Sequence, residues 1–461
     1  MATNKSQEMT VDSQRSAADV NKIQTFDSPA TTKYCAAGKI AQSVLKHLVG
    51  EIANNKISNA YEICRTGDEM IEREAKKIFK TVDEKGVAMP TTIDVNNCIV
   101  GYSPVDSESG YVLHDGDVVK ISLGAHIDGF TALASHTLVV YPSLAPADQV
   151  SPTPGLVADA ICASYMATEA VIKLLGTVLD RPDPSTGALR SGSALVTGES
   201  IKQVVEIIAK TYKVKIVPGS QVRRIKRFLV GQDAALEVDV KGYAWGSLRI
   251  AEATDDPDEG DLRKDIDSTV PVEAGEAWIV DISMCEFAGK DKDLNPHNSL
   301  QLSRRAIKEH RSLRPTIFTR DYSTHIEMRV KAARGVLTEI DMRKSVFPFH
   351  SSALQTDGAP LGIAALTSAG VLAPSQVWTA PSSSLVTRER TTILLVPNKG
   401  AKNGGEIVRL TGGEITPSWV HSEFEITDAL VKGLLDANVR IRNVVGVSLE
   451  GISASDEMDI E

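Results

Sequence analysis

After a polar opening stretch, apolar positions recur along the chain at helical spacing. Residues 1 to about 25 are rich in Ser, Gln, Asn and Asp and show no periodic pattern, so no fixed structure is expected there. Thr31 or Thr32 then caps a helix whose Ala37, Ile40, Val44, Leu45, Leu48 and Ile52 share one face. A second helix is predicted through Ile63, Met70, Ile71 and Ile78 behind a cap at Ser58. Pro90 and Pro104 bracket a strand and loop around Asn96, Asn97 and Cys98. The clearest strand runs from Val118 to Ile127 and resumes from Phe130 to Val140. Asp128-Gly129 between them predicts a two-residue hairpin turn, because both residues tolerate positive φ.

Helical spacing returns over Val157–Leu175 and, after a Thr-Gly-Glu-Ser start, over Ile201–Tyr212, with a loop in 181–193 between them. Ala277–Ser283 and Thr391–Val396 are predicted as short buried strands, and Met328–Ile340 as a helix. Pro374–Ser384, rich in Ser, Ala and Pro, is expected to be a surface connection. The order helices–hairpin–helices–strands suits helices packed on a predominantly antiparallel sheet, an α/β (α+β) architecture.

Composition narrows the class. With 461 residues, 42% hydrophobic and 24% charged, the chain can bury a large core. A net charge of −10 argues against a uniformly basic nucleic-acid coat but leaves local basic patches open. No apolar run is read as approaching the ~20 residues of a bilayer span, and the polar amino terminus does not read as a secretory signal. The scattered Cys35, Cys64, Cys98, Cys162 and Cys285, without CxxC spacing, read as free thiols of a reducing compartment.

Four segments carry a resemblance: AMPTTIDVNNCIVGYSP (88–104), GDVVKISLGAHIDGFTALASHTLVV (116–140), VEAGEAWIVDIS (272–283) and TTILLVP (391–397). Their order and spacing resemble the methionine aminopeptidase superfamily, the pita-bread fold, over about residues 30–430. GKIAQSVLKHL, PGSQVRRIKRFLVGQ (218–232) and RLTGGEITPSWVHS (409–422) resemble more closely a non-peptidase branch, the fungal ribosomal-export-complex-associated proteins. The proliferation-associated, ErbB3-binding protein is a more distant cousin. Composition marks 1–25 as a disordered segment and 252–267, with its eight acids, as an acidic insertion, and the resemblance implies a pita-bread domain at 26–435. A C-terminal extension at 436–461, ending in an acidic tail, follows.

Enzymes of this fold hold two divalent metals with five carboxylate or imidazole ligands, which lower the pKa of a bridging water for attack on a peptide carbonyl. Carried over by position, the substrate-site His falls on Gly101 and the two Asp ligands fall on Ser122 and Leu133. The ligand His falls near Gln221, the first Glu on Asp281 and the last Glu on Arg390. One anionic ligand of five survives, and a guanidinium, which cannot deprotonate to bind a metal, takes another's place. The resemblance therefore implies no catalytic residue, no cofactor and no metal. An Arg390–Asp281 pair is expected in the former site.

Two other readings rest on residue type. His126, Asp128 and His136 share one hairpin and suggest a new metal site; the alternative, favoured by the pairing that carries residue 136 away from 126 and 128, is ordinary hairpin residues. Cys98 is either a nucleophile needing a neighbouring base or, as is commoner, a buried thiol.

Basic residues cluster against the acidic whole. Arg223, Arg224, Lys226 and Arg227 form one group, beside the mouth of the old pocket in the family map. Residues 301–334 supply Arg304, Arg305, Lys308, Arg311, Arg314, Arg320, Arg329, Lys331 and Arg334. Such faces either dock RNA phosphate by counterion release or are solvated faces with internal carboxylate partners. The resemblance implies contact with rRNA and large-subunit proteins of the pre-60S particle at the tunnel exit. It further implies a small basic companion protein, nuclear-pore Phe-Gly repeats and cytoplasmic recycling factors as partners, and no membrane. Residence in nucleus and nucleolus with shuttling to the cytoplasm is expected. The competing expectations are a general RNA-binding regulator like the ErbB3-binding cousin, or an active aminopeptidase.

Overall fold

A computed structural model of the protein describes residues 28–140, 155–180, 196–217, 219–228, 244–245, 272–286, 314–380 (except 323, 325, 327, 344 and 345), 384–398, 404–413 and 420–444. Outside these lie the amino-terminal segment, the loop at 181–193, the acidic insertion, Arg304, Arg305, Lys308, Arg311 and the acidic tail.

The first predicted helix is α1 (Ser28–Ala53) and the second α2 (Ala60–Lys77). The cap of α2 is Asn59 rather than Ser58, its side chain accepting from Tyr61 N at 2.9 Å. Strand β1 (Lys85–Val95) runs straight through Pro90, which was expected to bound it. Register shifts on either side of Met89 absorb the missing N–H, as a bulge permits. After the short β2 (Cys98–Val100), β3 (Val118–Ile127) and β4 (Phe130–Val139) form the expected hairpin, with φ of 54° at Asp128 and 78° at Gly129.

Helices α3 (Leu156–Gly176) and α4 (Gly198–Thr211) follow, the latter closed by a Thr197/Ser200 capping box. By length and composition Leu156–Leu179 would suffice to cross a membrane, contrary to the reading of the sequence. Here α3 packs on the sheet and on α4, with 67% of its most apolar window buried.

Strands β5 (Lys215–Ile216), β6 (Gln221–Ile225), β7 (Ala244–Trp245) and β8 (Ala277–Cys285) come next. A smaller unit of β9 (Ile317–Arg320), α5 (Lys331–Arg343), β10 (Phe349–His350), α6 (Ala359–Ser368) and β11 (Leu372–Pro374) has its own core around Phe318, Val336, Phe349 and Leu366. The expected surface connection at 374–384 contains β12 (Trp378–Thr379), which pairs with β2 and buries Val377 and Ala380. The chain returns through β13 (Val386–Pro397), β14 (Gly405–Arg409), α7 (Ala429–Asp436) and β15 (Ile441–Asn443). Because β15 pairs with β14, the folded domain extends past residue 435 and takes in the start of the assigned extension.

Ten described strands form one sheet whose main path is β1-β3-β4-β13-β8-β6-β7. Two helical layers cover one face. α1 and α2 lie on β1, β3 and β4, burying Val119, Ile121 and Leu123, while α3, with α4 packed beside it, covers β8 and β13, burying Val280, Ile282, Ile393 and Leu395. Each such side chain, fully withdrawn from water, contributes roughly 1.5–3 kcal/mol before entropy is charged. Since neighbours on a strand point to opposite faces, the alternate residues of the same five central strands face the other way. Those residues are the candidate site.

Candidate functional site

Strand register lines up the site. One row crosses the sheet as Thr92 (β1), Ser122 (β3), Ser135 (β4), Arg390 (β13), Asp281 (β8) and Gln221 (β6). A second row, two residues along, runs Asp94, Lys120, Thr137, Arg388 and Ser283. Four of the sequence-assigned positions, Ser122, Gln221, Asp281 and Arg390, therefore stand in one line. Leu133 is one step off it, opposite Gly124, over which its side chain lies: a Cβ at Gly124 would come within 2.2 Å of Leu133 Cδ2. Gly101 is separated from the rows, beside β12.

The expected Arg390–Asp281 pair is present and has a second partner. Arg390 donates from Nε to Asp281 Oδ2 at 2.8 Å, with Nη2 2.6 Å from the same oxygen. Arg388 donates from Nε to Oδ1 and from Nη2 to Oδ2, each at 2.7 Å, in fork geometry. Asp281 has no exposure, and both arginines show 6%. Burial alone would raise the Asp281 carboxyl; the two guanidiniums outweigh it and hold the group down at about 2.

Sequence reading missed Arg388, Lys120 and Asp94. Lys120 is fully buried and donates to the carbonyls of Asn96 (2.9 Å) and Val386 (3.0 Å). Burial pushes its ammonium down to about 8, against the upward pull of Asp94. Asp94 accepts from Tyr102 N at 2.9 Å, and burial raises its carboxyl despite that bond. In place of the first Asp ligand, Ser122 Oγ pairs with Ser135 Oγ at 2.8 Å. At the substrate-His position, Gly101 has φ 98°, and a Cβ there would lie 2.7 Å from the carbonyl oxygen of Gln376. The backbone leading into β12 thus occupies the space a side chain at 101 needs.

These residues do not fit a dinuclear metal centre. Of the five positions where the resemblance expects metal ligands, Asp281 alone carries an anion, and both its oxygens accept from guanidiniums. An ion there would compete with, and be repelled by, two cations in a medium of low dielectric. Among the described residues, no three His, Cys, Asp or Glu side chains are grouped to hold a metal. His126, Asp128 and His136 do not meet as one site. His126 stacks on Phe347 at 4.1 Å, Asp128 pairs with Lys33 (2.6 Å) and Arg227 (2.5 Å), and His136 lies 3.0 Å from Glu389. Cys98 is buried beside Asp94, and burial raises its thiol well above the usual value, the opposite of activation. All five cysteines are unpaired.

The first basic cluster is divided by its strand. Arg224 was assigned as a phosphate contact, but its side chain is 6% exposed and donates to Glu276 Oε1 at 2.7 Å, so it is an internal ion pair. Arg227 is 47% exposed, pairs with Asp128 and lies over the rings of Phe130 and Phe228. Arg223 and Lys226 are half-buried. Of the second cluster, Arg314 is exposed at the rim of a 1410 Å³ groove lined by Tyr102, Tyr111, Phe318 and Ile363. Arg320 is buried and points inward, donating from Nε to Asp341 at 3.3 Å.

Comparison with known proteins agrees with this architecture. Residues 32–179 match the model of metallopeptidase family M24. The chain is 34% identical to the probable metalloprotease ARX1 of Yarrowia lipolytica, over 90% of this chain and 92% of that one. It is also 34% identical to the probable metalloprotease arx1 of Schizosaccharomyces pombe, over 91% and 97%. The solved structure of a thermophilic Arx1 superposes with a TM-score of 0.68 at 21% identity, covering 90% of this chain and all of that one. The pita-bread fold expected from the sequence is the fold observed.

Proposed function

Because the chain belongs to the fungal Arx1 family, on the fold of metallopeptidase family M24, we propose that it is a non-catalytic docking factor of large-ribosomal-subunit assembly. In this reading it binds the pre-60S particle near the exit of the nascent-peptide tunnel, through rRNA and large-subunit proteins. It assists export of the particle with a small basic companion protein and contacts to pore Phe-Gly repeats, and cytoplasmic recycling factors release it. It resides in the nucleus and nucleolus and shuttles to the cytoplasm.

One observation carries the non-catalytic part: the sole retained carboxylate of the ligand set, Asp281, is held by Arg388 and Arg390. Hydrolysis in this fold needs a metal-activated water, and a site whose anion is already neutralised twice over has nothing left to bind the metals. Such a fold remains useful as a shaped surface. The docking part is supported by family membership and by exposed cations such as Arg227 and Arg314 on an acidic protein.

The relatives are described as probable metalloproteases, so peptidase activity is the reading to test first. Purified protein with Co²⁺ or Mn²⁺ is expected to release no Met from a short unblocked peptide. Chelator-sensitive turnover would refute the non-catalytic reading. Co-sedimentation with pre-60S particles, weakening as salt rises, tests docking; a protein that sediments free at low salt refutes it.

A further inference from the structure

The exchange of ligands changes the sign of what the cleft attracts. On the two rows facing away from the helices, Lys120, Arg388 and Arg390 contribute three cations, and Asp94 and Asp281 two anions. Every one of these side chains is more than nine-tenths buried. With all five ionised, one positive charge stays uncompensated where water is scarce, an arrangement that favours a bound counter-anion.

Donors remain to meet one. Arg388 uses Nε and Nη2 on Asp281, and among the described residues its Nη1 donates to no acceptor. Its side chain keeps 7% exposure, so it borders space that water can reach. Arg390 uses Nε and Nη2 on Asp281, and its Nη1 meets only the thioether of Met89, a weak acceptor, at 2.8 Å. Leu133, buried, and Met89, half-buried, give the surroundings an apolar wall.

We propose that this cleft binds a monoanionic carboxylate, the group a peptide C-terminus presents, with the Nη1 groups of Arg388 and Arg390 as donors. A single negative charge balances the excess, whereas a phosphate dianion would overshoot it. A planar pair of oxygens suits guanidinium edges. The ammonium of a peptide amino terminus, carried by substrates of aminopeptidases, is repelled by the same charges. The inference rests on the reading of the cleft as non-catalytic.

The test titrates the full-length protein at fixed ionic strength with N-acetyl-alanyl-alanine, its C-terminal amide and sodium acetate, followed by calorimetry and by the Arg Nε–H signals in NMR spectra. Saturable binding of the free-carboxylate dipeptide is expected, with the amide weaker by about tenfold or more, the worth of one charge-assisted hydrogen bond. Arg388→Met removes a donor but unsettles Asp281, so the deciding variant is Leu133→Asp. It sets a competing carboxylate on the wall, leaves the Arg388–Asp281–Arg390 cluster in place, and is expected to weaken binding about tenfold or more. Leu133→Asn makes the same change to the apolar wall without the charge, so it is expected to weaken binding clearly less than Leu133→Asp. No binding by the wild type, equal binding of the amide, or unchanged binding by Leu133→Asp would overturn the proposal. Acetate saturating where the dipeptide does not would overturn the assignment to peptides. Failure of the underlying reading is separately visible, as peptide cleavage in the presence of metal rather than as lost binding.

Discussion

Replacing Asp281 by Asn keeps the side chain's size and removes the charge that holds two buried guanidiniums. The structure sets the scale. The Asp281 carboxyl is held down at about 2 against an ordinary 3.8, which corresponds to about 2–3 kcal/mol of stability at neutral pH. The variant also leaves Arg388 and Arg390 facing each other uncompensated, and breaking a buried pair in this way costs about 3–5 kcal/mol. For 461 residues unfolding entropy is roughly 1 kcal/mol per kelvin, so the midpoint is expected to fall by about 3–5 °C in calorimetry. The pH dependence has a definite sign. A depressed carboxyl contributes fully above its unfolded value of 3.8 and loses that contribution as pH falls through about 2. The gap between wild type and Asp281→Asn should therefore be widest at neutral pH and close as pH falls from about 4 to 2. The combined Asp281→Leu, Arg388→Met, Arg390→Met variant removes all three charges and should recover most of the loss, because well-packed apolar groups often replace buried ion clusters at little cost. A cost below about 1 kcal/mol for Asp281→Asn, or a gap unchanged from pH 7 to 2, would refute the view of this cluster as a buried charge lock.

Lys120 titrates at about 8 in the fold and near 10.5 when unfolded, so wild-type stability should rise with pH across that window by at most about 3 kcal/mol, a rise that Lys120→Met abolishes in denaturant titrations. Gly101→His, which restores the family's substrate residue, should lower the thermal midpoint rather than restore activity, since even a Cβ meets Gln376 O at 2.7 Å and φ is 98°. Arg224→Glu should destabilise the fold through repulsion with Glu276, whereas Arg227→Glu should change stability by no more than about 1–2 kcal/mol and weaken salt-sensitive pre-60S association. Equal midpoints for these two variants would show that the burial difference between the side chains has no energetic weight.

Much of the fold was legible because its elements are amphipathic. α1, α2, α3 and α4 carry apolar stripes at helical spacing, and the β3–β4 hairpin announces itself by Asp128-Gly129. The misreadings share a cause: a charge or a proline in a position that the sheet makes internal. The apolar spacing at Thr391–Val396 marks only the second half of a strand that begins at Val386, because Arg388, Glu389 and Arg390 interrupt the apolar pattern. In the sheet these residues alternate, Arg388 and Arg390 toward Asp281 and Glu389 toward His136. Pro90 and the 374–384 segment misled in the same way, since a bulge and a pairing with β2 are tertiary facts.

By itself the amino-acid sequence determined the elements whose apolar spacing is regular, among them α1 to α4 and the β3–β4 hairpin, since that spacing is local information. It also set the residue types at the positions the resemblance assigns to metal ligands, Ser122, Leu133, Gln221, Asp281 and Arg390, since residue type is read directly. Tertiary structure alone decided what became of the vacated chemistry. Residues 94, 120, 281, 388 and 390 are far apart in the chain, and only strand register brings their charges within hydrogen-bonding or Coulombic range. Burial then sets the strength of those charges, because the same Arg–Asp pair is nearly worthless in water and dominant where the solvent cannot screen it.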